Sequence, residues 1–382
     1  MKTGIIGSGA MGSGIAQVLA GAGHEVTVYD NNPEAVLKAE ARLKDTMALL
    51  TAKGKFTQEK ASGLLSRIRF VPDFDALADA SLIIEAIVEK LEVKQAVFRE
   101  LEEIASPECA LATNTSSLSV TAIAAACAHP GRVFGLHFFN PAPVMQLVEV
   151  IPAAQTDRDR IKRAVSWVKE WGKIPVMARN TPGFIVNRVA RPFYSEALRI
   201  LDEGLADPAT IDRAMTHFGG FRMGPFALMD FIGHDVNYAV TESVYRASFH
   251  EPRYKPSFTQ KDLVEAGFLG KKAGRGFYDY RPEAPAPVPS EDGALGQMIF
   301  KRILVMLINE AADALHFGIA EREDIDLAMT KGVNYPKGLL AWAEEIGVGE
   351  CARMMDELYD FYREDRYRCS PWLRKNALQK AP

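Results

Sequence analysis

The sequence predicts an α/β N-terminal domain followed by two repeated all-α C-terminal domains, and three observations carry that prediction. Within the first twenty residues a short apolar segment runs into a glycine-rich turn and then an alanine-rich helical pattern. From about residue 180 onward the pattern is helical. Inside that helical part, one stretch recurs at a constant offset of 114 residues.

Composition bounds the answer. The chain has 382 residues, 48% of them hydrophobic, which is enough for two or three domain cores. A net charge of −4 gives no global basic field for nucleic acid or an anionic membrane, and no local basic patch replaces it. Cys109, Cys127, Cys351 and Cys369 lie far apart without CxxC or Cys/His spacing, which argues against a disulfide framework and against a metal site. The first motif starts at Gly7, leaving no room for a leader, and no apolar run reaches the roughly 18 residues of a membrane span. A cytoplasmic protein is the expectation.

Residues 2–7 read as a buried strand, Gly12–Leu19 as the helix after it and Glu25–Tyr29 as a second strand. Gly7, Gly9 and Gly12 form GxGxxG around Ala10 and Met11. The first glycine permits the tight turn, the second lets backbone approach a pyrophosphate, and the third lets helix and strand pack closely, which makes the domain Rossmann-type. Asp30 ends the second strand, where a carboxylate accepts hydrogen bonds from both ribose hydroxyls of NAD. Asn31 and Asn32 follow it, with no arginine to receive a 2′-phosphate, so NAD is favoured over NADP.

About 37 residues separate Asp30 from the next strand, Arg67–Val71, and their charged amphipathic pattern predicts a helical hairpin insertion. Its Lys53, Lys55 and Lys60 could meet an anionic ligand or simply form a solvated tip. Strands Ser81–Ile87 and Ala110–Thr113 flank a helix near Leu91–Ile104. In open α/β sheets ligands bind beyond the carboxyl ends of the strands, which places Asn114, Ser116 and the Glu89 region where cofactor and substrate meet. Taken alone, Ser116 reads equally as a helix N-cap.

Residues 135–151, GLHFFNPAPVMQLVEVI, form a strand, a Pro-bounded turn and a second apolar strand. His137 and Glu149 face opposite ways along this path yet can converge across it. A histidine titrates near neutrality and suits removal of a hydroxyl proton, and a carboxylate would orient its ring and stabilise its cation. On spacing alone, His137 among aromatics reads more readily as a core residue.

The blocks IGSGAMGSGIA, EAIVEKLEVK, ATNTSSLSVTAIA, GLHFFNPAPVMQLVEV and NTPGFIVNR, in that order, resemble the 3-hydroxyacyl-CoA dehydrogenase family, and GKKAGRGFYDY extends the likeness to residue 280. The resemblance implies NAD as cofactor and reversible oxidation of a 3-hydroxyacyl-CoA to the 3-oxoacyl-CoA, with no metal. It makes His137 the base, Glu149 its partner, and Ser116 and Asn187 the groups that hold the reacting substrate. Glu89, Lys94, Asn114, Asn140 and Lys272 match positions near NAD, and Lys53 and Lys55 of AKGKF match the CoA-contacting tip.

Asn180-Thr-Pro-Gly183 should open the second domain, with Phe184–Leu201 as one long apolar helix despite Pro192. The expected divisions are 1–180, 181–281, a Pro/Ala linker at 282–293, and 294–382. In the repeat, Glu196, Asp212, Gly224 and Gly233 correspond to Glu310, Asp326, Gly338 and Gly347. Asn187 corresponds to Lys301, so the second copy reads as structural, covering in one chain a face that single-copy relatives cover with another subunit. A monomer is favoured, with a dimer still open. Two other readings stand beside this one: a β-hydroxyacid or sugar-acid dehydrogenase on the same scaffold, and a catalytically idle NAD-binding structural protein. Arg188, Arg191 and Arg222 could meet a second substrate carboxylate, though structural salt bridges explain them as well.

Overall fold

Eight strands form a single sheet in the computed structural model, which describes residues 1–379. They are β1 (Lys2–Ile6), β2 (Glu25–Tyr29), β3 (Ile68–Val71), β4 (Leu82–Glu85), β5 (Ala110–Thr113), β6 (Val133–Phe138), β7 (Leu147–Pro152) and β8 (Ile174–Met177), in the order β3-β2-β1-β4-β5-β6-β7-β8. All neighbours are parallel except β6 and β7. Strands β4, β5 and β6 are buried along their whole length, because helices cover both faces of a parallel sheet and leave no solvent side for polar alternation. The sequence reading did not find β8. It is four residues long and contains Pro175, which an edge strand tolerates because it has ladder bonds on one side only.

The covering helices are α1 (Ala10–Gly21), α2 (Pro33–Ala52), α3 (Gln58–Leu65), α4 (Leu91–Ile104), the short α5 (Val120–Ala124) and α6 (Arg158–Glu170). Asn32 caps α2 by accepting from the amides of Glu34 and Ala35, and Thr57 caps α3 through Lys60. The two helices thus make the expected hairpin, with Lys53, Gly54 and Lys55 at its exposed tip. This sheet and its helices are one compact unit, Met1–Thr181, and the rest of the chain from Pro182 is a second.

The second unit is helical. Its first half contains α7 (Val186–Val189), α8 (Arg191–Asp202), α9 (Pro208–Gly219), α10 (Pro225–Ile232), α11 (His234–Ala247) and α12 (Phe258–Glu265). Its second half contains α13 (Gly293–His316), α14 (Arg322–Leu327), α15 (Leu339–Ile346), α16 (Val348–Tyr362) and α17 (Pro371–Gln379). Residues 281–292 between them carry neither helix nor strand.

The expected single helix over Phe184–Leu201 is in fact two. Pro192 sits in the first turn of α8, where its missing N–H costs no bond, and the one-turn α7 stands apart before it. In the second half Met306 occupies the corresponding position, and α13 runs unbroken through 24 residues. Elsewhere the halves match closely. Asp212 accepts from the amides of Phe226 and Ala227, and Asp326 from those of Leu340 and Ala341. Gly224 and Gly338 are required there: a Cβ on either would lie 2.3 Å from Asp212 Cα or 2.2 Å from Asp326 Cγ. Contacts between the halves are reciprocal. Glu310 accepts from Arg188 Nε at 3.0 Å and from the Tyr254 hydroxyl, while Glu196 accepts from Arg302 Nε at 2.6 Å and from the Tyr367 hydroxyl.

Candidate active site

The Gly-rich turn between β1 and α1 forms one wall of a cavity of about 510 Å³ lined by Gly7, Gly9, Tyr29, Asp30, Val88 and Glu100, among others. Gly7 has φ +99°, and a Cβ there would meet the Ala86 carbonyl oxygen at 2.5 Å. A Cβ on Gly12 would lie 1.9 Å from the Gly7 carbonyl oxygen. At Gly9 a Cβ would have no protein atom within 4 Å, so that glycine leaves room for something other than the protein. Helix α1, which begins at Ala10 and Met11, has no side-chain cap and no acidic residue in its first turn, so its amides are open to an anion.

Asp30 does more than the sequence indicated. Its carboxylate accepts from the Ser8 amide at 2.8 Å, the Ser8 hydroxyl at 2.9 Å and the Asn32 amide at 3.0 Å, tying the Gly-rich turn to the end of β2. With Glu100 on the same cavity, the wall carries two carboxylates, an environment that suits ribose hydroxyls and repels a 2′-phosphate. Shape, open amides and charge fit NAD.

A second cluster lies at the ends of β4 and β5. Glu89 accepts from the Thr115 hydroxyl at 2.7 Å and the Ser116 amide at 2.8 Å, with the Ser116 hydroxyl at 3.3 Å. Burial opposes its charge, but Lys94 and these donors outweigh burial and hold its pKa below the ordinary carboxylate value. Lys94 is only 1% exposed. Its ammonium sits 2.5 Å from Glu85 and 3.3 Å from Glu89, so its influence on a ligand runs through Glu89 rather than by direct contact. Ser116 is not a helix cap, since Ser119 fills that role for α5.

Glu85 escaped the sequence reading. It also accepts from the Thr113 hydroxyl at 2.7 Å and the Ile87 amide at 2.8 Å. The available signal was a lone carboxylate in the apolar strand LIIE. In the sequence Asn180 stands only as part of a chain breaker, yet in the fold it accepts from the Val120 amide and donates to the hydroxyls of Ser119 and Thr121. Its partners lie 59 to 61 residues away, so no local pattern announces them.

His137 and Glu149 are directly opposed across the antiparallel β6–β7 pair, with Nδ1 2.6 Å from Oε2. The expectation that they face opposite ways is corrected here: directly opposed residues of antiparallel strands project to the same face. Both are buried, Glu149 completely. Asn114 receives the Phe138 amide at 2.8 Å beside this pair, and Asn140 is exposed in the turn that follows β6. That turn, α1 and α2 enclose a further cavity of about 390 Å³, lined by Arg42, Thr46, Leu50, Asn140, Pro141 and Val144 among others. Lys60 lies over the Phe56 ring at 5.1 Å, while Lys53 and Lys55 are exposed.

The remaining candidates belong to the second unit. Asn187 is on α7, and Lys272 binds Asp235 at 2.6 Å. Arg188 is engaged by Glu310, the buried Arg191 donates to the Thr241 hydroxyl at 3.0 Å, and Arg222 is exposed. The four cysteines are free and buried, and no metal-binding cluster occurs among the described residues. No helix among them is long and apolar enough to cross a membrane.

Comparison with known proteins adds the family. Residues 2–181 match the model described as the 3-hydroxyacyl-CoA dehydrogenase NAD-binding domain, and residues 183–280 and 298–381 match its C-terminal domain. A 3-hydroxyadipyl-CoA dehydrogenase of Escherichia coli K12 is 40% identical over 98% of this chain and 97% of its own. The crystal structure of a 3-hydroxybutyryl-CoA dehydrogenase from E. coli K12 superposes with a TM-score of 0.95 at 39% identity, covering 100% of this chain and 98% of that one. An (S)-3-hydroxybutyryl-CoA dehydrogenase structure from Ralstonia eutropha has a TM-score of 0.71 at 38% identity, covering 73% of this chain and 99% of its own.

Proposed function

Because this chain belongs to the 3-hydroxyacyl-CoA dehydrogenase family, we propose that its His137–Glu149 pair is the proton-transfer centre of an NAD-dependent oxidation of a short 3-hydroxyacyl-CoA. The enzyme is an NAD-dependent dehydrogenase of 3-hydroxyacyl-CoA substrates. The observation that carries the assignment of the centre is the 2.6 Å contact between His137 Nδ1 and the buried Glu149 carboxylate. That contact leaves Nε2 as the nitrogen to take the C3 hydroxyl proton while the C3–H bond breaks and the carbonyl forms. Bound nicotinamide supplies the acceptor for the hydride. Glu149 holds the imidazole in the tautomer with the proton on Nδ1 and stabilises the cation that develops.

Ser116 and Asn187 hold the substrate oxygen in this reading, and Glu89 fixes Ser116 by engaging both its amide and its hydroxyl. The CoA moiety follows the cavity between α1, α2 and the turn after β6, with Arg42 and the tip residues Lys53 and Lys55 available to its phosphates. Leu50, Pro141 and the 70% exposed Val144 make much of that wall apolar, which suits a pantetheine arm better than a sugar acid. The paired helical halves serve in one chain as the counterpart of a subunit interface, and the enzyme works as a monomer. Rates of NADH formation with 3-hydroxybutyryl-CoA, 3-hydroxyadipyl-CoA and a free sugar acid test the reading. CoA esters should be turned over and the sugar acid should not. Turnover of the sugar acid alone would overturn it.

A further inference from the structure

We propose that Glu310, in the helical half that lacks the substrate residue, is a positioning residue for the reaction: it fixes the rotation of α7 through Arg188 and thereby aims Asn187. The inference rests on the reading of Asn187 as a substrate-holding group. Helix α7 is a single turn, Val186–Val189, joined to α8 through Ala190, and Pro192 at the start of α8 has no amide N–H to continue the helical ladder across the junction. A one-turn helix has little stability of its own, so its orientation is set by tertiary contacts. Buried Val186 and Val189 give it a non-directional apolar anchor. A directional contact reaches it from the second half, Arg188 Nε to Glu310 Oε1 at 3.0 Å, with the carboxylate fully buried and the guanidinium mostly so. Burial opposes the Arg188 charge, but Glu310 and its neighbours more than offset it, and the pKa rises above the ordinary value. Adjacent helical residues point about 100° apart, so holding Arg188 sets the direction of Asn187.

The other half supplies a built-in control. Arg302 binds Glu196 in the reciprocal arrangement, but beside it stands Lys301 in place of Asn187, and α13 is continuous there. Both ion pairs are structural, yet only one adjoins a substrate residue.

Four variants of the full chain decide the matter, each measured for melting temperature, NAD affinity and kinetics with 3-hydroxybutyryl-CoA. Glu310→Gln should lower kcat/KM by about 10- to 100-fold, through kcat as well as KM, because small misplacements of reacting groups have effects of that size. NAD affinity should stay within about twofold. Arg188→Lys should do the same while leaving the bonds of Glu310 to Arg253 and Tyr254 in place, which covers the case in which Glu310→Gln does not fold. Arg302→Lys, which also gives up bonds to Glu203 and Tyr367, should lose at least as much melting temperature yet keep kcat/KM within about twofold. Unchanged kinetics in Arg188→Lys, or an equal loss in Arg302→Lys, would overturn the proposal. Asn187→Ala separates the layers. Full activity in that variant overturns both the role of Asn187 and the inference built on it, whereas its loss alongside an unaffected Arg188→Lys overturns the inference alone.

Discussion

Replacing Glu149 by glutamine tests the proposed proton-transfer centre with almost no change in volume. The carboxylate is completely buried, and its Oε2 lies 2.6 Å from His137 Nδ1. A hydrogen bond to a charged group contributes about 1.5–3 kcal/mol. Here the interaction strengthens as the imidazole becomes cationic, so the loss falls mainly on the transition state and corresponds to about 10- to 150-fold in kcat. The amide adds a second penalty. If its NH2 turns toward Nδ1, the ring proton moves to Nε2 and the base is blocked, which carries the loss toward the roughly 10⁴-fold seen for tautomer errors in hydrolase triads. Gly9, Asp30 and the first turn of α1 lie on other elements, so NAD affinity should not change. Steady-state NADH formation together with calorimetric titration of NAD separates the two effects. His137→Gln, measured in parallel, should lose about 100-fold or more. Turnover within about fivefold of wild type in Glu149→Gln would refute the assignment of Glu149 as the group that orients and charges the base.

The glycine-rich turn yields a contrasting pair of variants. Gly9→Ala meets no protein atom within 4 Å and should keep the wild-type melting temperature while weakening NAD binding about tenfold or more, whereas Gly12→Ala, with its Cβ 1.9 Å from a carbonyl oxygen, should lower the melting temperature itself; equal melting losses would show that Gly9 is not kept for a ligand. Asp30→Ala should weaken NAD binding by about 1–3 kcal/mol, affect NADP less, and also lower the melting temperature, because Ser8 and Asn32 lose their acceptor; binding curves for both cofactors and a melting curve check this, and a native preference for NADP would contradict it. A 1–290 truncation should dimerise or aggregate in light scattering and lose activity, since it strips the partners of Arg188, Arg253 and Tyr254; a soluble, active monomer would show that the second half does not cover the first.

Legibility in the sequence followed the range of the interactions. The Gly7–Gly9–Gly12 turn and the capped ends of α2 and α3 are local, with spacing and capping residues within a few positions of one another, and Asp30 stands at the end of the strand that follows the glycine-rich turn and helix, so the chain displays them directly. The His137–Glu149 pair needed the strand register as well, and without it the relative direction of the two side chains came out wrong. Glu85, Asn180 and Arg188 act across 28, 60 and 122 residues respectively, and nothing adjacent to them in sequence points to Thr113, Val120 or Glu310. The break at Pro192 was visible as a residue, but its consequence depended on whether tertiary contacts held the preceding turn apart. β8 was hidden because a four-residue edge strand containing proline has too little pattern to read.

The internal repeat separates requirements of the fold from requirements of the chemistry without recourse to any other protein. Where both halves agree, packing supplies the reason: the Asp212 and Asp326 carboxylates fill the space a Cβ would need at Gly224 and Gly338, so neither member of each pair can change alone. Glu196 and Glu310 each accept from an arginine and a tyrosine of the opposite half, so losing either removes bonds that hold the halves together. Where the halves differ, packing gives no such reason. Met306 could continue a helix at position 192 as it does in α13, and a lysine is accommodated at 301 where the first half has Asn187. The first half instead carries a proline that isolates one helical turn and an amide upon that turn. The second half folds without either, and in the function proposed here both serve what the turn presents.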